Sequence, residues 1–551
     1  MGVSLTLFLV LVSLPAILAQ EISFAKIVVD GTTAIAETDD NYICATIDWW
    51  PNETCRYGYC TWQNSSVITM DLSNPFLVKT IQAFKRLRIR IGGSPQDQVI
   101  YNVGNPKYPC HPFRTMGNGW LFGLTNGCLY MDRWDEVNQF FSKTGALMTF
   151  GLNALYGKHN QSTLWLGDWD PSNTEALMKY TISKGYHVDS WEFGNELSGS
   201  GIGARVEADQ YAKDVINLKK VMNELYQKSN FKPTLVAPGG FFDSNWFTKF
   251  LQNSGSGLVN IVTYHIYNLG PANDHDLVTK ILDPSYLSST IVGTFRNIEQ
   301  IVQEYGPWAS IWVGESGGAF GGGAPSVSDR FVNSFWYLDQ LGMAAKYNTK
   351  VYCRQTLVGG NYALLNRTTY EPNPDYYRQE HEVVIKPMIA LLWHRLMGKG
   401  VLEVDTDASP HLRIYAHCSK GRAGVTLLLL NLSKQSEFLI TFHNRVNINL
   451  QEKEESIMLK SSSKFGSKRK NSKAKKKASN KSSYREEYHL TPKDGNIQSQ
   501  TSVLNGNPLN VTNGEIPTLD PVINDENTPI YIAPLSIVYI VIPNFEAPAC
   551  A

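Results

Sequence analysis

What most constrains this chain is a rhythm: a short apolar run, a loop, then a stretch with helical periodicity, repeated along some 350 residues. Short apolar runs bounded by turn residues read as buried strands, and strands alternating with amphipathic helices read as βα units around a parallel sheet. The predicted strands are Ile43–Asp48, Arg86–Gly93, Leu147–Gly151, Ser190–Phe193, Thr234–Pro238, Ile261–His265, Ser310–Glu315 and Val351–Gln355. Helical periodicity lies between them, clearest over 173–184, 208–227 and 328–346. Eight such units predict an α/β fold, a (β/α)8 TIM barrel over residues 40–398.

Beyond a predicted helix through Ala390–His394 the rhythm stops. Leu402–Val404, Leu412–His417, Val425–Leu430, Phe438–Phe442 and Ile537–Ile542 are short apolar runs with no helices between them. They predict an appended antiparallel β-sandwich domain over 400–551. A strand within 20–30, Ile22–Val29, precedes the barrel and is expected to join that domain, where it can find an edge to pair with. A Lys/Ser-rich stretch, 461–483, cannot bury apolar surface and is expected to be a disordered loop. A solvated insertion is the favoured reading of it over a tether to anionic polysaccharide.

Residues 1–19 carry an apolar run too short for a membrane span and read as a signal peptide. No other segment is apolar and long enough to cross a bilayer, so the expected location is extracellular, in the cell wall, or vacuolar or lysosomal. Peripheral association with a membrane is compatible with that. Formal net charge is zero, which gives no pointer to nucleic acid. Sequons at Asn52, Asn64, Asn160, Asn366, Asn431, Asn480 and Asn510 suit the secretory route. Eight cysteines in an oxidising compartment suggest disulfides. The expected pairs are Cys55–Cys60, Cys110–Cys128 and Cys418–Cys550, with Cys44 and Cys353 free and buried inside core strands. No Cys/His spacing resembles a zinc site, and no metal or cofactor is expected.

Two strand ends carry the chemistry. Trp191-Glu-Phe-Gly-Asn-Glu196 and Ile311-Trp-Val-Gly-Glu315 each bring a glutamate to the end of an apolar run. A carboxylate in such a place is costly unless paired or used. In a barrel, catalytic groups collect at the C-terminal ends of the strands, and two carboxylates there are what a glycosidase requires.

Taken with Arg90-Ile-Gly-Gly-Ser-Pro-Gln-Asp97, Phe150-Gly-Leu-Asn-Ala154, Gly314-Glu-Ser-Gly-Gly-Ala-Phe-Gly-Gly-Gly-Ala-Pro325 and Gly359-Gly-Asn-Tyr362, the chain resembles the plant heparanase-like β-glucuronidases of glycoside hydrolase family 79. The resemblance implies a retaining exo-β-glucuronidase in which Glu196 is the acid/base and Glu315 the nucleophile. It implies that Asn195 binds the sugar 2-hydroxyl, Tyr267 steadies the nucleophile and Asp48 grips the outer hydroxyls. By the same resemblance, Tyr362 and the amides of Gly321 and Gly322 hold the glucuronate carboxylate, and Ser94 and His265 join the substrate-binding set. Successive unshielded N–H groups make a concavity fit for an anion, which gives the glycines a physical reason. The segments matching the basic cleft of animal heparanases, Gly239–Asn245 and Tyr267–Asp274, carry no Lys or Arg, so heparan sulfate is not the expected substrate. Arabinogalactan-type proteoglycan glucuronate and small-molecule glucuronides are. No counterpart of the excised animal linker is seen, so a single chain is expected. The competing readings are an inactive glycan-binding barrel and a retaining glycosidase of a neutral sugar such as xylose.

Overall fold

The computed structural model describes residues 22–117, 119–199, 202–371, 388–446, 483–509 and 518–551. The signal peptide, residues 461–482 of the Lys/Ser-rich stretch, and the sequons Asn480 and Asn510 lie outside the described residues.

Eight parallel strands close into a barrel. In chain order they are Ile43–Ile47, Arg88–Ile91, Leu147–Leu152, Ser190–Phe193, Thr234–Phe241, Ile261–Ile266, Ser310–Ser316 and Val351–Arg354. The eighth pairs with the first, Cys353 opposite Cys44, which completes the ring. Helices return the chain between strands, and local sequence sets their ends. Asn74 caps the helix Pro75–Gln82, its side-chain oxygen accepting from the amides of Phe76 and Leu77, with Pro75 at the first helical position where its missing N–H costs nothing. Gly145 ends Met131–Thr144 in the left-handed conformation, φ 70°. Between strands and helices, Phe150, Trp134 and Trp191 pack edge-on and tilted, with ring centroids 4.7–6.4 Å apart.

The cysteine expectation needs one correction. Cys44 and Cys353 are joined in a disulfide. The pair is invisible in sequence because the two residues are 309 positions apart. They become register partners only when the barrel closes. The other three bonds are Cys55–Cys60, Cys110–Cys128 and Cys418–Cys550, and no cysteine is free.

The helix Met388–Leu396 leads into a 12-stranded sheet. Its central strands Val425–Asn431 and Ile537–Ile542 are buried on both faces, and their alternate side chains serve two cores. Leu427, Leu429, Val538 and Ile540 pack inside the curled sheet, whereas Leu428, Leu430, Ile537 and Tyr539 join the barrel core. Strand Ile22–Asp30 lies between Met397–Thr406 and Glu437–Asn444. It runs antiparallel to the first but parallel to the second, a departure from the all-antiparallel expectation. Because this strand enters from the other end of the chain, no hairpin dictates its direction.

A second correction concerns the sequon at Asn431. Its side chain is fully buried, and its amide donates to the carbonyls of Ser436 and Ala533, so the folded domain has no room for a glycan there. Asn64 and Asn160 are exposed, and Asn52 and Asn366 half-buried. No helix among the described residues is long and apolar enough to cross a membrane.

Candidate active site

At the C-terminal end of the barrel a cavity of about 870 Å³ opens. Strand Ser190–Phe193 delivers Glu196 to it through a tight turn: Gly194 has φ 72° and Glu196 itself φ 55°. A left-handed glutamate is strained and must be held by its surroundings. The holding bonds are the amide of Glu196 to the carbonyl of Gly239, 2.7 Å, and the amide of Asn195 to Asp97 Oδ2, 2.8 Å. Asp97 also accepts from the amide of Ala154, 2.8 Å, tying the turns after the third and fourth strands together. Burial pushes the Asp97 carboxyl up to about 7.

Glu315 stands on the seventh strand. Its Oε1 accepts from the hydroxyl of Tyr267, 2.6 Å, and its Oε2 from Arg90 Nη1, 2.8 Å. Arg90 is fully buried and spends its fork on three partners, since Nε reaches Glu192 Oε2 at 2.5 Å and Nη2 reaches Asn195 Oδ1 at 2.8 Å. One buried cation thereby balances two carboxylates, which an unpaired charge could not tolerate. Arg90 and Glu192 were not among the residues singled out from sequence. The signal was available: arginine alternates with leucine and isoleucine along Arg86-Leu-Arg-Ile-Arg90, and Glu192 sits within an apolar strand, so both point into a barrel.

Glu196 faces His265, Nδ1 to Oε1 at 2.8 Å. Burial, then the Arg90 charge, hold the imidazole well below its ordinary range, so it is neutral near neutral pH. Burial, then the negative charge of Glu315, raise the Glu196 carboxyl well above the usual carboxylate range. Burial is thus the larger cause, ahead of the repulsion between the two carboxylates. Carboxylate oxygens of Glu196 and Glu315 and a nitrogen of His265 all lie within 4.8 Å of one another. Such a trio could ligate a cation, but Arg90 already supplies the positive charge at Glu315.

The other sequence candidates divide. Asp48, Ser94, Tyr267, Gly321, Gly322 and Tyr362 line the cavity with the two glutamates. Asn195 lines a recess beside it, its Oδ1 taken by Arg90, and His265 is buried behind Glu196. Asp48 accepts from Gln355 Nε2, 2.9 Å, and from the Trp49 amide, 2.7 Å. Burial and the charge of Glu315 push Asp48 up to about 7. Tyr362 is threaded among glycines: a Cβ on Gly317, Gly323 or Gly360 would stand 2.4–2.8 Å from its ring. Gly321 and Gly322 have φ 84° and 101°, and no acceptor among the described residues takes their N–H groups. Aromatic walls, Trp50, Trp62, Phe122, Phe241 and Phe320, were not singled out from sequence, where nothing separates them from core aromatics.

The N-terminal domain of glycosyl hydrolase family 79 matches residues 24–342. Heparanase-like protein 1 of Arabidopsis thaliana is 57% identical over 539 residues, covering 97% of this chain and 96% of that protein. The chain is a family 79 glycoside hydrolase. The baicalin-beta-D-glucuronidase of Scutellaria baicalensis is 36% identical over 548 residues, 97% of this chain and 94% of that one. Among solved structures, a 4-O-alpha-L-rhamnosyl-beta-D-glucuronidase from Fusarium oxysporum superposes with a TM-score of 0.60 at 13% identity, covering 94% of this chain and 100% of that one. That likeness shows the fold, a barrel with an added sheet domain.

Proposed function

We propose that this family 79 hydrolase is a retaining exo-β-glucuronidase, removing β-linked glucuronic acid from arabinogalactan-type glycans or from small-molecule glucuronides. Glu315, ionised and aimed by Tyr267 and Arg90, attacks the anomeric carbon of the sugar. The bond to the leaving oxygen breaks as Glu196 gives that oxygen its proton. Glu196, now a carboxylate, takes a proton from water as its oxygen attacks the anomeric carbon from the face the aglycone left, opposite Glu315, and the ester bond to Glu315 breaks.

The single observation that carries the reading is the closeness of the two carboxylates, one oxygen of each lying within 4.8 Å of the other. Retaining enzymes hold their carboxyl groups about 5–5.5 Å apart, whereas inverting ones leave about 6.5–9.5 Å for a water. The raised Glu196 carboxyl supports the acid role, because a general acid must keep its proton until the leaving group needs it. The unclaimed amides of Gly321 and Gly322 support an acidic sugar. A glucuronidase among the relatives agrees. The four disulfides support a secretory route to the wall or vacuole.

Hydrolysis of 4-nitrophenyl β-D-glucuronide and of the corresponding β-D-xyloside by the purified protein tests this. Turnover of the glucuronide well above the xyloside is expected. Preference for the xyloside would replace the acidic sugar with a neutral one, and hydrolysis of neither would favour a binding role.

A further inference from the structure

One construction at the cavity mouth has no role so far. Cys55–Cys60 closes a six-residue hairpin. Inside it the amide of Arg56 donates to the carbonyl of Tyr59 at 2.9 Å, and the amide of Tyr59 to that of Arg56 at 2.8 Å. Tyr57 and Gly58 have φ 49° and 81°, the two positive values of the tight turn that suits a two-residue hairpin. A covalent bond, two hydrogen bonds and a turn fix these few residues, which is more restraint than a surface loop needs.

The hairpin stands against the glycine cradle. A Cβ on Gly321 would lie 2.2 Å from the Tyr57 ring, and one on Gly322 would lie 3.4 Å from Thr61 Oγ1. The Arg56 guanidinium lies 4.9 Å above the Trp50 ring, where the aromatic face holds a cation without neutralising it. Arg56 is the only Lys or Arg among the described residues lining the cavity, which also presents Asp48, Glu196 and Glu315. The nearby Arg90 is already shared among Glu192, Glu315 and Asn195. An anionic sugar approaching these carboxylates needs a cation that is still available, and Arg56 has no carboxylate partner among the described residues.

We propose that the clipped hairpin is the uronate-selecting element of this cavity. Arg56 meets the sugar carboxylate beside the Gly321–Gly322 amides, and the Cys55–Cys60 bond braces it there. The proposal rests on the glucuronidase reading above and adds to it a specificity residue and its support.

Kinetics of the wild type, Arg56→Gln, Arg56→Lys and the double variant Cys55→Ser/Cys60→Ser provide the test, on aryl glucuronide and aryl xyloside at low and high salt. Arg56→Gln is expected to raise KM for the glucuronide about three- to tenfold, with a much smaller change in kcat and in the xyloside KM. The salt dependence of the glucuronide KM should shrink with it. Arg56→Lys should recover most of the loss, since it keeps the charge. The double serine variant should shift the glucuronide KM in the same direction as Arg56→Gln. A wild-type KM and salt dependence in Arg56→Gln, or equal rises on both substrates, overturn the proposal while leaving the glucuronidase reading intact. A wild type that turns over only the xyloside overturns both.

Discussion

The hydroxyl of Tyr267 donates to Oε1 of Glu315 at 2.6 Å. With Arg90 on Oε2, both oxygens of the carboxylate are held before substrate arrives, so in the proposed mechanism the attacking lone pair needs no reorientation. Tyr267→Phe keeps the ring and removes that bond. A hydrogen bond to a charged group is worth about 1.5–3 kcal/mol, so kcat/KM for aryl glucuronide should fall roughly 10- to 150-fold. Unchanged melting temperature alongside the loss would place the effect in the chemistry; unchanged kcat/KM would remove Tyr267 from it.

The pH dependence follows from the same pair. In the proposed mechanism Glu196 works protonated, and its folded-state pKa is raised, so activity is expected below that pKa and lost as pH rises through it. A nucleophile must be ionised to attack, so the same mechanism predicts a loss of activity at the acid end as well. The expected profile of kcat/KM is a bell whose alkaline limb lies well above the ordinary carboxylate range. In Glu196→Gln that limb should vanish on an activated aryl glucuronide, which needs little protonation. An alkaline limb that persists in the variant would assign it to another group.

Tyr362 gives a test of substrate. Its hydroxyl lies by Gln355 and Tyr267, at the end of the cavity that holds the glycine cradle. Tyr362→Phe should lower kcat/KM for glucuronide roughly 10- to 100-fold and barely touch a xyloside, which has no C5 substituent to hold. Equal losses on the two would make Tyr362 a packing residue.

The barrel was legible because most of its strands are apolar runs, as buried parallel strands are, although Arg88–Ile91 alternates arginine with isoleucine. Ser190–Phe193 and Ile537–Ile542 begin and end at the residues expected from sequence. Glu196 and Glu315 stood out because each brings a charge to the end of such a run. What stayed hidden depends on closure. Cys44 and Cys353 become neighbours only when the eighth strand finds the first, and Arg90 finds Glu192 only across the barrel interior. Strand Tyr484–Pro492 was missed because its sequence, YREEYHLTP, is polar. Arg485 and Glu487 are buried nonetheless, since they pair with each other and Glu487 also with His489. Asn431 fits a sequon pattern, but the same triplet closes a buried turn.

The Cys44–Cys353 bond joins the first and last barrel strands across 309 residues and is wholly buried. Replacing both residues with alanine should lower the stability of the oxidised protein by about 2–5 kcal/mol, seen as a lower denaturant midpoint. Neither residue lines the cavity, so KM should not move. A variant with the wild-type midpoint would mean that the register of the two strands holds the barrel closed without the bond.

The most direct test of the two-glutamate assignment is to trap the covalent intermediate. A 2-deoxy-2-fluoro-β-D-glucuronyl fluoride reacts through a good leaving group, while its fluorine slows hydrolysis of the ester. The expected result is one glucuronyl unit per chain, carried by the peptide that contains Glu315. Label on the Glu196 peptide would exchange the two roles. Rapid turnover to α-glucuronate with no label at all would contradict the retaining mechanism.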